Sequence, residues 1–181
     1  MRVIAGTAKG TRLAPVPAGT RPMSDRAREG LFSSLGPDVE GARVLDLFAG
    51  TGATGIEALS RGAAKAVFVD SAPTAARVIK ENLRRARLAA RGAVRRQDAA
   101  RALRSGLGSF DLILIDPPYR TAPDAVARIL SDLRDQGTAA AGARVVLTRP
   151  KENDNVVIPL DWQAERRLTY GDAVVLVFRI P

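Results

Sequence analysis

The chain has 181 residues, 46% of them apolar, which is enough material for the core of one domain and argues against disorder. It contains neither cysteine nor histidine, and this excludes disulfides, thiolate nucleophiles, Ser-His-Asp catalysis and zinc sites built on those side chains. The formal net charge of +9 favours a polyanionic partner, nucleic acid above all, with an arginine-biased coding sequence as the alternative explanation.

Residues 1–40 differ from the rest and predict a basic N-terminal arm, with residues 41–181 as the main domain. The arm begins with short extended pieces typical of a hairpin, and Ser24 or Asp25 can cap a helix that continues to about Leu35. We expect this arm to be mobile or loosely docked. Its positive charge suits contact with RNA phosphates or a cofactor, and a merely solvated face is the alternative. The candidate RNA-binding residues are Lys9, Arg12, Arg21, Arg26 and Arg28.

A strand, a glycine-rich turn and a helix follow the arm. The apolar run Arg43 to Phe48 predicts a buried strand, and Ile56 to Arg61 predicts a helix. Between them, Gly50, Gly52 and Gly55 have the G-x-G-x-x-G spacing of a dinucleotide-binding turn. Glycines here let a ligand approach the backbone closely, whereas a tight turn without a ligand is the alternative.

Acidic residues end or follow the next two predicted strands. Asp70 ends the second strand, about 20 residues after the first glycine, where a carboxylate binds ribose hydroxyls in dinucleotide folds. An exposed helix cap is the alternative for Asp70. Asp98 follows the short third strand at Val94 to Arg96, and it can either cap the next helix or meet the adenine of a cofactor.

The fourth strand runs into Asp116-Pro117-Pro118-Tyr119. Proline lacks the N–H that a sheet needs and disfavours helical backbone in the preceding residue, so the chain leaves the sheet rigidly. A carboxylate, the Pro117 carbonyl and an aromatic ring then lie side by side, a set that suits an amino group on a flat heterocycle. A stiff turn with Asp116 as a helix cap explains the tetrapeptide about equally well.

The remaining chain alternates helix and strand and ends in two strand-like runs around Gly171-Asp172, which predict a hairpin. This pattern predicts an α/β fold with a mostly parallel sheet, helices on both faces and one antiparallel strand. No apolar run approaches the roughly 20 residues that a membrane-spanning helix needs. The cysteine-free composition fits a cytoplasmic protein.

The segment Val44 to Ala63 resembles the cofactor segment of class I methyltransferases, and the Asp-Pro-Pro-Tyr exit resembles that of exocyclic-amine N-methyltransferases. The segment Thr20 to Phe32 narrows the likeness, because it is similar to that of RsmD-type bacterial enzymes, which methylate N2 of guanine 966 in 16S ribosomal RNA. The likeness covers nearly the whole chain. It departs from the family pattern at Ala5, Met23 and Asp70, where Gly, Thr and Glu are usual.

This resemblance implies S-adenosylmethionine as cofactor and no metal. It also implies a Rossmann-like, doubly wound sheet of seven strands in the order 3-2-1-4-5-7-6, with the last strand antiparallel. The implied partner of a monomeric enzyme is 16S ribosomal RNA within an assembling or assembled 30S subunit. The implied cofactor-binding residues are Asp46, Phe48, Ala49, Gly50, Thr51, Gly52, Asp70, Ser71, Asp98 and Ala99. The implied catalytic residues are Asp116, Pro117, Pro118 and Tyr119.

Three other functions remain open on the residues alone. An adenine-N6 methyltransferase of DNA or RNA would share the cofactor and the amine geometry. The glycine spacing and Asp70 also suit an NAD-dependent oxidoreductase, although that reading leaves the tetrapeptide unexplained and lacks a His or Cys catalytic group. A non-catalytic RNA-binding module would explain only the charge.

Overall fold

A computed structural model describes residues 1–15 and 23–181. Seven strands form one sheet in the order β3-β2-β1-β4-β5-β7-β6, as predicted. Of the strands in the described residues, β7 alone runs opposite to the other six, and it pairs with β5 and β6. The strands are β1 (Arg43–Leu47), β2 (Lys65–Asp70), β3 (Gly92–Arg96), β4 (Phe110–Ile115), β5 (Ala139–Pro150), β6 (Gln163–Tyr170) and β7 (Ala173–Arg179).

Helices cover both faces of the sheet. Alternate residues of β4 show the division: Leu112 packs in one apolar cluster with residues of α1, α2 and α3, while Ile113 packs in a second cluster with residues of α4 and α5. A strand buried on both faces is apolar throughout, which explains the continuous run in β4. The helices are α1 (Asp25–Leu35), α2 (Ala53–Ser60), α3 (Pro73–Arg85), α4 (Ala99–Arg104) and α5 (Pro123–Asp135).

Several element boundaries differ from the sequence prediction. The α2 helix starts at Ala53 rather than Ile56, because Gly52 adopts a left-handed backbone and serves as its N-cap. The α3 helix ends at Arg85 although its apolar pattern extends further, since Arg87 has a φ of 59° and the Leu88 amide bonds back to the Leu83 carbonyl. The β5 strand is longer at both ends than the five residues predicted.

The described part of the arm is docked, so the expectation of a mobile or loosely docked arm is wrong for these residues. Arg2 and Arg12 form an antiparallel bridge. The amides of Ile4 and Ala5 donate to the two carboxylate oxygens of Glu57 on α2, at 2.8 and 3.0 Å. The positive φ in this turn, +81°, belongs to Gly6, and Ala5 does not have one, so an alanine fits at position 5 without strain. The predicted RNA-binding residue Arg21 lies outside the described residues.

The prediction that Arg28 contacts RNA is also wrong, because its side chain is 0% exposed. Its Nη2 donates to Asp25 Oδ1 at 2.9 Å and to the Arg2 carbonyl oxygen, and its Nε lies 3.7 Å from Oε2 of the equally buried Glu57. Arg28 therefore fastens α1 to the arm and to α2. Lys9, Arg12 and Arg26 are exposed, and contact with RNA remains a prediction for them.

The α1 helix begins after Ser24, whose side chain accepts the Ala27 amide at 3.1 Å, which confirms the predicted cap. At its middle, α1 approaches the β6–β7 hairpin so closely that a Cβ atom at Gly30 would lie 1.9 Å from the Tyr170 hydroxyl. In the described ranges, no helix is both long and apolar enough to cross a bilayer.

Candidate active site

The candidate site lies where the carboxyl ends of three parallel strands meet. The β1 strand lies between β2 and β4, and all three run in the same direction. Residues at these ends therefore share one edge of the sheet: Phe48 follows β1, Asp70 ends β2 and Asp116 follows β4. The strand order reverses beside β1, and such a switch point is where open α/β sheets bind ligands.

The turn after β1 has an unusual backbone. Gly50 and Gly52 have φ values of 55° and 76°, which glycine adopts without steric penalty. Phe48 also has a left-handed φ, 61°, and for a side-chain-bearing residue this costs about 1–2 kcal/mol. The turn closes with a hydrogen bond of 2.7 Å from the Gly52 amide to the Ala49 carbonyl.

Asp46 lies beneath this turn and is almost fully buried. Its Oδ2 accepts the Gly55 amide at 2.9 Å. A Cβ atom at Gly55 would lie 2.4 Å from the Phe68 ring and 2.9 Å from Asp46 Oδ2, so only glycine fits there. Burial raises the pKa of Asp46 to about 7, opposed by the Gly55 hydrogen bond and reinforced by the charges of Asp116 and Asp70.

Asp70 and Asp98 both hold backbone amides. Asp70 Oδ2 accepts the Gly50 amide and its Oδ1 accepts the Ala72 amide, each at 2.9 Å, so this carboxylate links β2 to the glycine turn. Asp98 Oδ1 accepts the Arg101 amide at 3.2 Å and caps α4. Capping was one of the two predicted roles of Asp98.

The Asp116–Tyr119 segment leaves the sheet as a tight turn. The Asp116 amide still bonds to the Leu47 carbonyl at 3.4 Å, and the Thr121 amide bonds to the Pro118 carbonyl at 2.8 Å. Burial raises the pKa of Asp116 to about 6, and a hydrogen bond with the Thr148 side chain opposes that shift. The site thus holds a carboxyl group that changes its charge close to neutral pH.

Arg149, at the end of β5, supports this turn and was missed in the sequence. Its side chain is 0% exposed; Nη2 donates to the Thr121 carbonyl at 3.0 Å and Nε to the Asn153 carbonyl at 3.2 Å. Its Nη1 has no hydrogen-bond partner among the residues described, and burial lowers its pKa. The available signal was a cation at the end of a strand, one residue beyond Thr148, which corresponds in register to Asp116.

These groups border a first cleft of about 550 Å³. All the predicted cofactor-binding residues line it except Asp46 and Gly52, which are buried. The four residues of the tetrapeptide line it too. Its remaining lining residues, not predicted as part of the site, are Met23, Ala53, Thr54, Val69, Ala72, Gln97 and Arg120.

A second cleft of about 380 Å³ shares Met23, Asp116 and Tyr119 with the first. Its other walls come from the start of α1, the end of β5 and the β6–β7 turn. The lining residues of the second cleft are Met23, Ser24, Arg26, Ala27, Asp116, Tyr119, Thr148, Thr169, Tyr170, Gly171, Asp172, Ala173 and Val175. Of the predicted RNA-binding residues that the structure describes, Arg26 lines this cleft, whereas Lys9 and Arg12 line neither cleft.

Known proteins share this architecture over nearly the whole chain. The family model described as "Conserved hypothetical protein 95" matches residues 1–179. A Bacillus subtilis relative, provisionally named as the rRNA methyltransferase YlbH, is 44% identical over 99% of this chain and 98% of its own. Ribosomal RNA small subunit methyltransferase D of Escherichia coli K12 is 32% identical over 99% of this chain and 89% of its own. The solved structure of E. coli yhhF, provisionally described as a methyltransferase, superposes with a TM-score of 0.89 at 32% identity, covering 99% of this chain and 97% of that one.

Proposed function

Because the chain belongs to the family described as conserved hypothetical protein 95, the RsmD-type methyltransferases, we propose that it methylates ribosomal RNA of the small subunit. The acceptor in this proposal is the exocyclic N2 amine of guanine 966. One observation carries the proposal: Asp116 and Tyr119 line both clefts and so lie where the two clefts meet. A ligand in each cleft would meet the other at these two residues.

S-adenosylmethionine is the cofactor of this family, and the first cleft fits it. The volume of about 550 Å³ lies within the usual range of roughly 300–1,000 Å³ for small-molecule sites. Apolar walls at Phe48 and Val69 suit the nucleoside, and the Asp70 and Asp98 carboxylates suit ribose hydroxyls and the adenine amine. When bound, the cofactor supplies an electrophilic methyl group.

The chain's own task is to hold and orient an amine of low nucleophilicity. The Asp116 carboxylate and the Pro117 carbonyl would accept its two N–H bonds and aim its lone pair, while Tyr119 would stack on the base. Such orientation is worth about 7–11 kcal/mol of the barrier. The amine must lose one proton as the new N–C bond forms, and a carboxyl group with a pKa of about 6 is suited to accept it and pass it to water.

Positive charge on residues 1–40 is proposed to bind the RNA backbone, with those residues serving as an RNA-binding extension of the domain at 41–181. Lys9, Arg12 and Arg26 are exposed there, and Arg21 belongs to the same set. Each phosphate contact releases counterions, so RNA affinity should fall steeply as salt rises. The proposed acceptor is 16S RNA in an assembling or assembled 30S subunit, bound by a monomer.

The test is to incubate the protein with methyl-labelled S-adenosylmethionine and small subunits that lack this modification. Nucleoside analysis should find N2-methylguanosine, mapped to guanine 966, and Asp116→Ala should abolish it while RNA binding persists. Label in N6-methyladenosine, or transfer to naked duplex DNA, would contradict the proposal in favour of an adenine-N6 methyltransferase. Unchanged biological activity of Asp116→Ala would favour a binding module instead.

A further inference from the structure

We propose that the second cleft is the acceptor site, so that α1 and the β6–β7 turn together hold the nucleotide that carries the reactive amine. This inference rests on the proposed function and adds the residues that bind the acceptor, chiefly Arg26 and Tyr170. The inference holds whichever base carries the reactive amine.

The position of the second cleft gives the first argument. It meets the first cleft at Met23, Asp116 and Tyr119, and the rest of its lining is separate. The glycine turn, Asp70 and Asp98 all border the first cleft and none borders the second. A methyl donor in the first cleft therefore leaves the second as the space from which an amine can reach Asp116.

The chemistry of the lining gives the second argument. The hydroxyl-bearing residues Ser24, Thr148 and Thr169 line the second cleft together with Arg26 and Tyr170. Hydroxyls donate to or accept from base edges, a guanidinium binds phosphate or base carbonyl oxygens, and an aromatic ring stacks on a base. With a volume of about 380 Å³ the cleft has the size of a small-ligand site.

The third argument is that a single close contact sets the width of the second cleft. Gly30 on α1 faces Tyr170, and a Cβ atom at residue 30 would lie 1.9 Å from the Tyr170 hydroxyl and 2.8 Å from Cζ. Adding that atom must displace the Tyr170 side chain, which lines the second cleft, or push α1 and the hairpin apart. Since neither residue borders the first cleft, the displacement should alter acceptor binding and leave cofactor binding intact.

The test compares Gly30→Ala and Arg26→Gln with the wild type in steady-state methylation of small subunits. Both should raise the KM for RNA by about tenfold to a hundredfold, the range that the loss of one charge-assisted hydrogen bond gives, while the Kd for S-adenosylmethionine stays the same. Adding Tyr170→Phe to Gly30→Ala should restore part of the loss, because it removes the atom nearest to the new methyl group. Glu29→Ala is the matched control, since Glu29 is exposed on α1 and lines neither cleft.

An unchanged KM for RNA in both variants, with an active wild type, overturns the acceptor site but leaves the proposed function in place. Inactive wild-type protein would instead contradict the function itself. If Gly30→Ala unfolds, Arg26→Gln decides the matter alone, because its exposed side chain is not needed for the fold. Weaker cofactor binding in Arg26→Gln would also overturn the inference.

Discussion

The Arg149 guanidinium donates to the Thr121 carbonyl oxygen at 3.0 Å, so a buried cation at the end of β5 fixes the turn that begins at Asp116. The same guanidinium reaches the Asn153 carbonyl and thereby joins two loops that leave neighbouring strands. Its buried Nη1 has no hydrogen-bond partner among the described residues. This unfavourable placement suggests that the turn must be held in one position.

Arg149→Lys should therefore lower kcat by about tenfold to a hundredfold, because an ammonium cannot bond both carbonyls from the guanidinium's positions and the turn would move. The Kd for S-adenosylmethionine should change little, and steady-state kinetics with calorimetric binding measures both. Arg166→Lys, an exposed change on β6, is the control. A kcat equal to that of the wild type would show that the turn holds its shape without Arg149.

The pH dependence of methylation should report on Asp116. Burial raises its pKa to about 6, so the carboxylate that accepts the hydrogen bond of the amine becomes protonated as the pH falls through about 6. Single-turnover rates should rise to a plateau above that pH. Thr148→Val should move the acidic limb to higher pH, since it removes the hydrogen bond that lowers this pKa. If the fall in rate at acidic pH occurs at the same pH in Thr148→Val as in the wild type, a group other than Asp116 titrates.

Two arginines of α1 should behave in opposite ways. Arg28→Ala should lower the free energy of unfolding by about 1–3 kcal/mol, because it leaves the Arg2 carbonyl oxygen without its buried donor and removes one of the two cations beside the buried Glu57, which keeps its pair with Arg61. Arg26→Ala should change stability by less than about 0.5 kcal/mol, since its side chain is exposed, and should lower the salt dependence of RNA binding by about one counterion. Urea unfolding and RNA titrations at several salt concentrations test both. Equal stability of the two variants would contradict the structural role of Arg28.

Asp46 should make the protein less stable as the pH rises. Its pKa is about 7 in the folded chain against an ordinary value of 3.8, so the folded state binds the extra proton between these values. Stability must therefore fall between about pH 4 and 7, by up to about 4 kcal/mol from this group. Asp46→Asn keeps an oxygen for the Gly55 amide and should flatten the fall. Urea unfolding at pH 5 and pH 8 measures the fall in each protein. An equal loss of unfolding free energy in the wild type and in Asp46→Asn would show that Asp46 does not cause it.

Much of the fold was predictable because its signals are local. Apolar runs, glycine turns and the terminal hairpin gave the elements, and the family resemblance gave the strand order, which the structure confirms. Boundaries were less predictable, since they depend on single backbone conformations such as the left-handed Arg87 that ends α3. The apolar periodicity of α3 extends beyond that residue and carries no information about it.

The candidate site was predictable where its residues follow strands in a motif. Asp70 and Asp116 are of this kind, and both border the first cleft. Arg28 and Arg149 were not, because the burial of an arginine depends on distant partners such as Glu57 or the Thr121 carbonyl. The same residue type, in the same helix, is exposed at position 26 and enclosed at position 28.

The left-handed backbone of Phe48 lowers the stability of the fold at a residue that the first cleft needs. Phe48→Gly would relax a conformation that costs about 1–2 kcal/mol, and heat-resistance screening would favour such a change. It would also delete an aromatic wall of the first cleft. Substitutions intended to raise thermal stability should therefore be made at positions other than 48.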